Sequence, residues 1–227
     1  MMRIDIISAV PELLDSPLNT SIVKRAQNKG KVEIVVHNLR DYAYDKHKTI
    51  DDKPFGGGPG MLLKPEPFFN LIEKLQAERE YDKVIFMTPR GKTLNQKMCN
   101  EFSLYENIIV IAGHYKGVDE RVIETFVTDE ISIGDFVLSG GELPALIFVD
   151  GIVRLLPGVL NDSESALQDS FMDGEKIEAP YYTRPANFRG LEAPEVLLSG
   201  NDKLIREWKE EQSKVLTEKW KKINRSE

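Results

Sequence analysis

The chain has 227 residues, 41% of them hydrophobic and 30% charged, with a formal net charge of −7 at neutral pH. That length suits one large domain, or a core domain with a small appendage. The acidic balance speaks against indiscriminate nucleic-acid binding, which phosphate neutralisation drives, and one cysteine, Cys99, leaves no internal disulfide to require an oxidising compartment.

The opening "MMRIDIISAV" reads as a strand. Asp5 interrupts its apolar run and Pro11-Glu12 closes it, unlike a signal peptide, so a cytoplasmic location is the default expectation. An amphipathic stretch through Asn28 stops at Gly30, and "KVEIVVHNL" is a second strand. After a long loop, "PEPFFNLIEKLQAE" has helical period, "KVIFMTP" is strand, "NQKMCNEFSL" helical, "NIIVIAG" strand and "VDERVIETF" helical. "VTDEISIGDFVL" is extended up to Gly140-Gly141, and "ELPALIFVDGIVRLL" is a nearly all-apolar helix expected to be buried on most sides. Strands alternating with helices predict an α/β fold, a mostly parallel sheet with helices on both faces. The most apolar run contains Asp150 and Arg154 and would span a bilayer poorly, so no membrane partner is expected.

From Pro157 the chain turns polar and acidic, with Gly and Pro punctuation. This divides the sequence into a large α/β domain at 1–160, an interdomain linker at 161–175 and a small, mainly helical domain at 176–227. Asn201 or Asp202 can cap a terminal helix reaching about Asn224. Between Lys203 and Arg225, eight Lys/Arg stand against four Glu. That helix either contacts phosphates or is a solvated face of mixed charge.

Several standard sites are absent. The histidines (His37, His47 and His114) are scattered, so a built-in zinc site is not expected, and no G-x-x-x-x-G-K-[ST] occurs. The first crossover, "IISAVPELL", lacks the glycines of a dinucleotide site. A nucleotide-like cofactor would therefore sit late in the chain, at "MTPRG", "AGHYKGVDER" and "SIGDFVLSGGE", all at carboxyl ends of strands. Nearby acids (Asp119, Glu120, Asp135 and Glu142) disfavour a phosphate and suit a cationic cofactor such as the sulfonium of S-adenosylmethionine. The plainer reading is glycines for strand–helix packing and acids complementing helix dipoles.

Six motifs in order, "DKHKTIDDKPFGGGPGM", "GHYKGVDER", "SIGDFVLSGGELPA", "PGVL", "DSFMDG" and "YYTRP", closely resemble those of the bacterial tRNA (guanine-N1)-methyltransferases of the knotted SPOUT superfamily. The resemblance implies a deep trefoil knot in the first domain, S-adenosylmethionine as cofactor, and a homodimer whose site joins one subunit's knot to the other's linker. It implies tRNA, not DNA, as substrate, methylated at the guanine 3′ of the anticodon (position 37). The C-terminal domain would bind tRNA, in reduced form, since the chain ends sooner than the family pattern leads one to expect.

Carried onto this sequence, the implied cofactor positions are Phe86, Pro89, Gly113, Ser132, Ile133, Gly134, Asp135, Phe136, Val137, Leu138, Gly140, Gly141 and Pro144. Guanine N1 must lose a proton to become a nucleophile, which pushes charge onto O6, so the reaction needs a base at one atom and a donor at the other. Asp169 matches the family's base and Arg154 its O6 partner, although Arg154 is also placed to pair with Asp150 four residues earlier. Asp51, Gly60 and Ser170 match substrate-contacting positions, while "GGGPG" read alone is a tight turn. The family more often has "GRYEGVDER" where this chain has His114 and Lys116. Arg90 replaces a Gln, and Phe86 and Phe136 lack an aromatic hydroxyl. The family also suggests a Mg2+ requirement, yet no residue cluster in the sequence resembles a metal cage. A ribose-directed SPOUT methyltransferase and a non-catalytic RNA-binding relative are the competing readings.

Overall fold

The computed structural model describes residues 1–160, 169–172 and 174–224. Two compact units divide the chain, Met1–Asn161 and Asp162–Glu227.

The first unit is built on five strands: β1 (Met2–Ser8), β2 (Val32–Asn38), β5 (Lys83–Thr93), β6 (Asn107–Ala112) and β7 (Asp129–Ser132). They lie in the order β2-β1-β6-β5-β7, each neighbouring pair parallel. A two-residue pair, β3 (Asp51–Asp52) and β4 (Leu62–Leu63), stands apart from this sheet. Between strands run α1 (Glu12–Leu18), α2 (Ser21–Asn28), α3 (Pro65–Glu78), α4 (Gln96–Phe102), α5 (Glu120–Phe126) and α6 (Glu142–Val153). Side-chain alternation decides which core each strand residue joins. Ile4, Ile6, Ile108 and Val110 pack on one face with Leu14, Ala26, Phe102 and Phe148, whereas Ile7, Ile109 and Ile111 pack on the other with Phe68, Leu71, Ile72 and Val122. Both faces are covered, which is why central strands read as nearly unbroken apolar runs.

Asp5 is the exception inside β1. It is fully buried and accepts hydrogen bonds from Arg3 (2.8 Å) and Tyr81 (2.8 Å), with His37 Nε2 at 2.7 Å. Burial alone would raise its pKa, but the partners His37, Arg3 and Tyr81 outweigh it and hold the carboxyl well below the usual carboxylate range.

The α6 helix departs from the sequence expectation. Ala145, Phe148, Val149, Ile152 and Val153 are buried, but Leu143 and Ile147 are half exposed. A helix packed on a single layer turns only one face inward, so an all-round apolar composition leaves its outer stripe uncovered within this unit. Among the described residues, no helix is long and apolar enough to cross a membrane.

In the second unit, β8 (Asn187–Phe188) and β9 (Leu191–Glu192) form a hairpin, followed by α7 (Glu195–Leu198) and α8 (Asp202–Asn224). Asn201 caps α8, its Oδ1 accepting from the backbone N–H of Lys203 at 3.1 Å. Of the expected linker, 161–168 and 173 lie outside the described residues. The rest folds against α8. Thr217 Oγ1 accepts from the Ile177 N–H at 2.9 Å, Glu175 pairs with Lys221 at 3.2 Å, and the Phe171 ring meets Trp220 edge-on.

Candidate active site

A cleft opens where β5, β6 and β7 end, the expected position for a ligand in an open parallel sheet. It holds about 710 Å³ of empty space, part of it open to solvent.

Three loops make the cleft. The first is Thr88–Gly91. Met87 and Lys92 both pair with Ile131 of β7, so the residues between them bulge out of the strand and present Thr88 and Pro89 to the cleft. The second follows β6 at Gly113, where Tyr115 and Gly117 adopt positive φ and turn the chain sharply. The third runs from Ser132 to Gly141. Gly140 bridges His114, and the Gly141 N–H donates to the Gly113 carbonyl at 2.6 Å. A Cβ on Gly141 would lie 2.8 Å from Gly113 N and 2.9 Å from Ala112 Cα. Gly141 is thus required because one backbone lies directly on another, whereas at Gly140 a Cβ would meet the side chains of Glu142 and His114.

Of the expected cofactor positions, Phe86, Pro89, Gly113, Ser132, Ile133, Gly134, Phe136, Val137, Leu138, Gly140, Gly141 and Pro144 all line this cleft. Asp135 does not; it is exposed and outside the lining. Phe86 is buried and forms part of the floor, 3.0 Å from where a Gly113 Cβ would stand. The sequence marked the right segments but did not single out Thr88, Tyr115 or Ser139, which also line the cleft. No residue type in those positions carries a signal of its own.

The charge argument for a cationic cofactor fares less well. Asp119 caps α5 and pairs with Arg121 at 2.8 Å, which holds its carboxyl below the ordinary range. Glu120 and Glu130 both bind Arg90. Glu142 is buried, accepting from Ser8 Oγ at 2.8 Å with His114 Nδ1 at 3.4 Å, and ties β1 and α6 to the loop after β6. None of the four expected acids, Asp119, Glu120, Asp135 and Glu142, lines the cleft. The helix start was correctly placed, but its carboxylate turns into the protein.

Gly60 stands beside the cleft. The Lys116 side chain, part of the lining, passes 2.9 Å from where a Gly60 Cβ would be. The Gly-rich loop is held there by backbone bonds from Lys116 N to Met61 O (2.9 Å) and from Leu63 N to Gly117 O (3.0 Å). Asp51 lies in β3 opposite Leu63 and is not part of the lining. Arg154 is the half-buried C-cap of α6, also outside the lining; its charge acts on the Cys99 thiol, whose pKa burial raises. Asp169 and Ser170 belong to the second unit. Asp169 is half-buried and acts electrostatically on Tyr181, while Ser170 Oγ accepts from the Glu178 N–H at 3.1 Å. Among the described residues, no group of three or more His, Cys, Asp or Glu could hold a metal ion.

Fold and cleft together define an α/β protein with a cleft walled by backbone loops at the carboxyl edge of a parallel sheet. The chain matches the family model of the tRNA (Guanine-1)-methyltransferase TrmD over residues 2–224. It is 57% identical over 210 residues to a protein of Flavobacterium johnsoniae named tRNA (guanine-N(1)-)-methyltransferase, covering 92% of each chain. Proteins of the same name from Chlorobium chlorochromatii and Bacteroides thetaiotaomicron are 55% and 53% identical, with 92% and 96% of this chain covered and 90% and 96% of theirs. The chain belongs to the tRNA (guanine-1)-methyltransferase family.

Proposed function

We propose that this protein transfers a methyl group from S-adenosylmethionine to N1 of the guanine 3′ of the anticodon, position 37, in tRNA. The observation carrying the reading is the cleft. Twelve of the thirteen positions expected to hold the cofactor line one cavity, and its wall is largely backbone with apolar faces from Phe86, Pro89, Ile133, Leu138 and Pro144. Such a wall fits an uncharged nucleoside, whose base needs apolar surfaces and edge-directed N–H and C=O groups. When bound there, S-adenosylmethionine supplies an electrophilic methyl group. A knotted path is part of the proposal. Its support is the closeness of the backbone contacts at Gly141 on Ala112–Gly113 and at Gly91 on the Glu130–Ile131 backbone, where a side chain would collide.

The protein's own residues then have distinct tasks. Asp169 accepts the N1 proton, and the Arg154 guanidinium faces O6, where charge gathers as that proton leaves. Asp51, Gly60 and Ser170 hold the target base and its neighbour. A base taken out of a single-stranded loop into such a pocket is the expected mode of RNA recognition. The exposed apolar residues Leu143, Ile147, Phe136, Val137 and Leu138 support a homodimer, in which Asp169 of one subunit would serve the cleft of the other.

Methyl transfer to unmodified tRNA transcript, with the product nucleoside identified, tests the reading. N1-methylguanosine at position 37 is expected. A 2′-O-methylated ribose would favour the other SPOUT activity, and transcript binding without transfer would favour a non-catalytic relative.

A further inference from the structure

Phe55 is 99% exposed and stands at the head of the Gly-rich loop. Gly56, Gly57, Gly58 and Gly60 all have positive φ, between 78° and 106°. A Cβ added at Gly56, Gly57 or Gly58 would meet nothing within 4 Å, so these glycines serve the shape of the turn rather than close packing inside the protein. The loop is nonetheless anchored. Gly57 N–H donates to the Pro54 carbonyl at 3.2 Å, and the return strand is fastened to the cleft rim through Met61 and Leu63. On the approach side, Asp45 accepts from the backbone of His47 and Thr49 and from the Thr49 hydroxyl. The outcome is a shaped, solvent-facing tip that carries one bare aromatic ring six residues before Met61, a span of at most roughly 20 Å from the cleft rim.

We propose that Phe55 is a stacking platform for a nucleobase flanking the target guanine, and so a positioning residue for the tRNA loop. The inference rests on the methyltransferase reading. The physical case is that a single-stranded loop entering the cleft must hold its neighbouring bases unstacked from one another, and an exposed aromatic face is the usual replacement for that lost stacking. Exposed Lys46 and Lys53 flank the tip on the same segment and suit phosphates. The segment's acids are partly occupied internally, Asp45 as above and Asp52 by the Lys53 N–H at 2.7 Å.

The test uses the full-length protein and an unmodified tRNA transcript, with affinity measured by fluorescence anisotropy beside methyl transfer. Reading affinity separately keeps a failure of the activity assignment distinct from a failure of stacking. Phe55→Ala and Phe55→Leu should each weaken transcript binding and raise KM by roughly 10-fold to 100-fold, the usual range for one base–aromatic stack. Phe55→Tyr should restore it, and S-adenosylmethionine affinity by calorimetry should stay the same in all three. Phe55→Leu binding as well as the unaltered protein would overturn the proposal, because any apolar side chain would then suffice. Loss of affinity that follows a change in the mass of the assembly in solution would overturn it too, by showing that Phe55 covers a second copy.

Discussion

Gly141 and Gly113 meet backbone to backbone, the N–H of one donating to the carbonyl of the other at 2.6 Å. This contact joins the first residue before α6 to the loop after β6, so the helix start and the cleft wall are one piece of structure. Gly141 has an ordinary negative φ (−86°), so its requirement is space alone. Gly141→Ala must push the Ala112–Gly113 backbone aside. We expect a loss of about 1–3 kcal/mol of stability, typical of overpacking, together with weaker S-adenosylmethionine binding. Urea unfolding and calorimetric titration would check both. Unchanged stability with lost binding would mean that the wall yields and only the ligand feels the methyl group.

A pH dependence follows from Asp5. Its pKa in the folded protein lies below that of an unfolded aspartate, near 3.9. As pH falls through about 4, the unfolded chain takes up the proton first, so the stability that Asp5 contributes is complete above that pH and declines below it. Asp5→Asn should cost on the order of 3 kcal/mol at neutral pH by leaving Arg3 and His37 without their shared anion. The variant should also lose less stability than the unaltered protein between about pH 4 and pH 2. Thermal unfolding across that range would reveal it, and parallel acid limbs would show that other carboxylates dominate.

Much of this molecule was legible in the residues themselves. Strand and helix order followed from periodicity, because strands buried on both faces and amphipathic helices such as α3 leave clear patterns. Three loops at strand ends pointed to the cleft for the same reason. What periodicity could not give was the direction of individual side chains. Glu142 looked like a ligand-facing carboxylate, yet it turns inward to Ser8, a residue 134 positions away in sequence. Leu143 and Ile147 looked like core, yet they lie on the open side of α6. Both errors arise from tertiary context, since the same local sequence can serve a wall or an interface. The proposed roles of Asp169, Arg154 and Asp51 came from family resemblance, and spacing alone would not have raised them above other polar residues.

The proposed division of one site between two subunits can be tested by complementation. Arg154→Ala and Asp169→Ala should each be nearly inactive. If Arg154 belongs to the cleft of one subunit and Asp169 to its partner, a mixed dimer contains one site with both residues intact. Mixing the two variants after demonstrated subunit exchange should then recover up to about a quarter of the unaltered specific activity, because half the dimers are mixed and each has one good site. Mixtures that exchange but stay inactive would require both residues to act from one chain.

The assignment of Asp169 as base has the most demanding consequence. Asp169→Asn keeps the size and hydrogen-bonding capacity of the side chain but cannot accept the N1 proton. Removing a general base costs roughly 10²–10⁴-fold, and single-turnover methylation should fall by that order. Affinity for S-adenosylmethionine should change little, because the cleft lies wholly in the first unit and Asp169 in the second. Affinity for tRNA should change little because Asn keeps the side chain's size and hydrogen bonds. Arg154→Lys keeps the charge but loses the planar donor fork, and should slow transfer by about 10²–10³-fold if it stabilises charge at O6. The two variants part company at high pH. Guanine ionises there without help, so alkaline conditions should partly rescue Asp169→Asn, whereas Arg154→Ala still lacks the group facing O6 and should gain little. Near-normal turnover of Asp169→Asn at neutral pH would remove Asp169 from the mechanism. The next candidate would be Asp173, which lies outside the described residues.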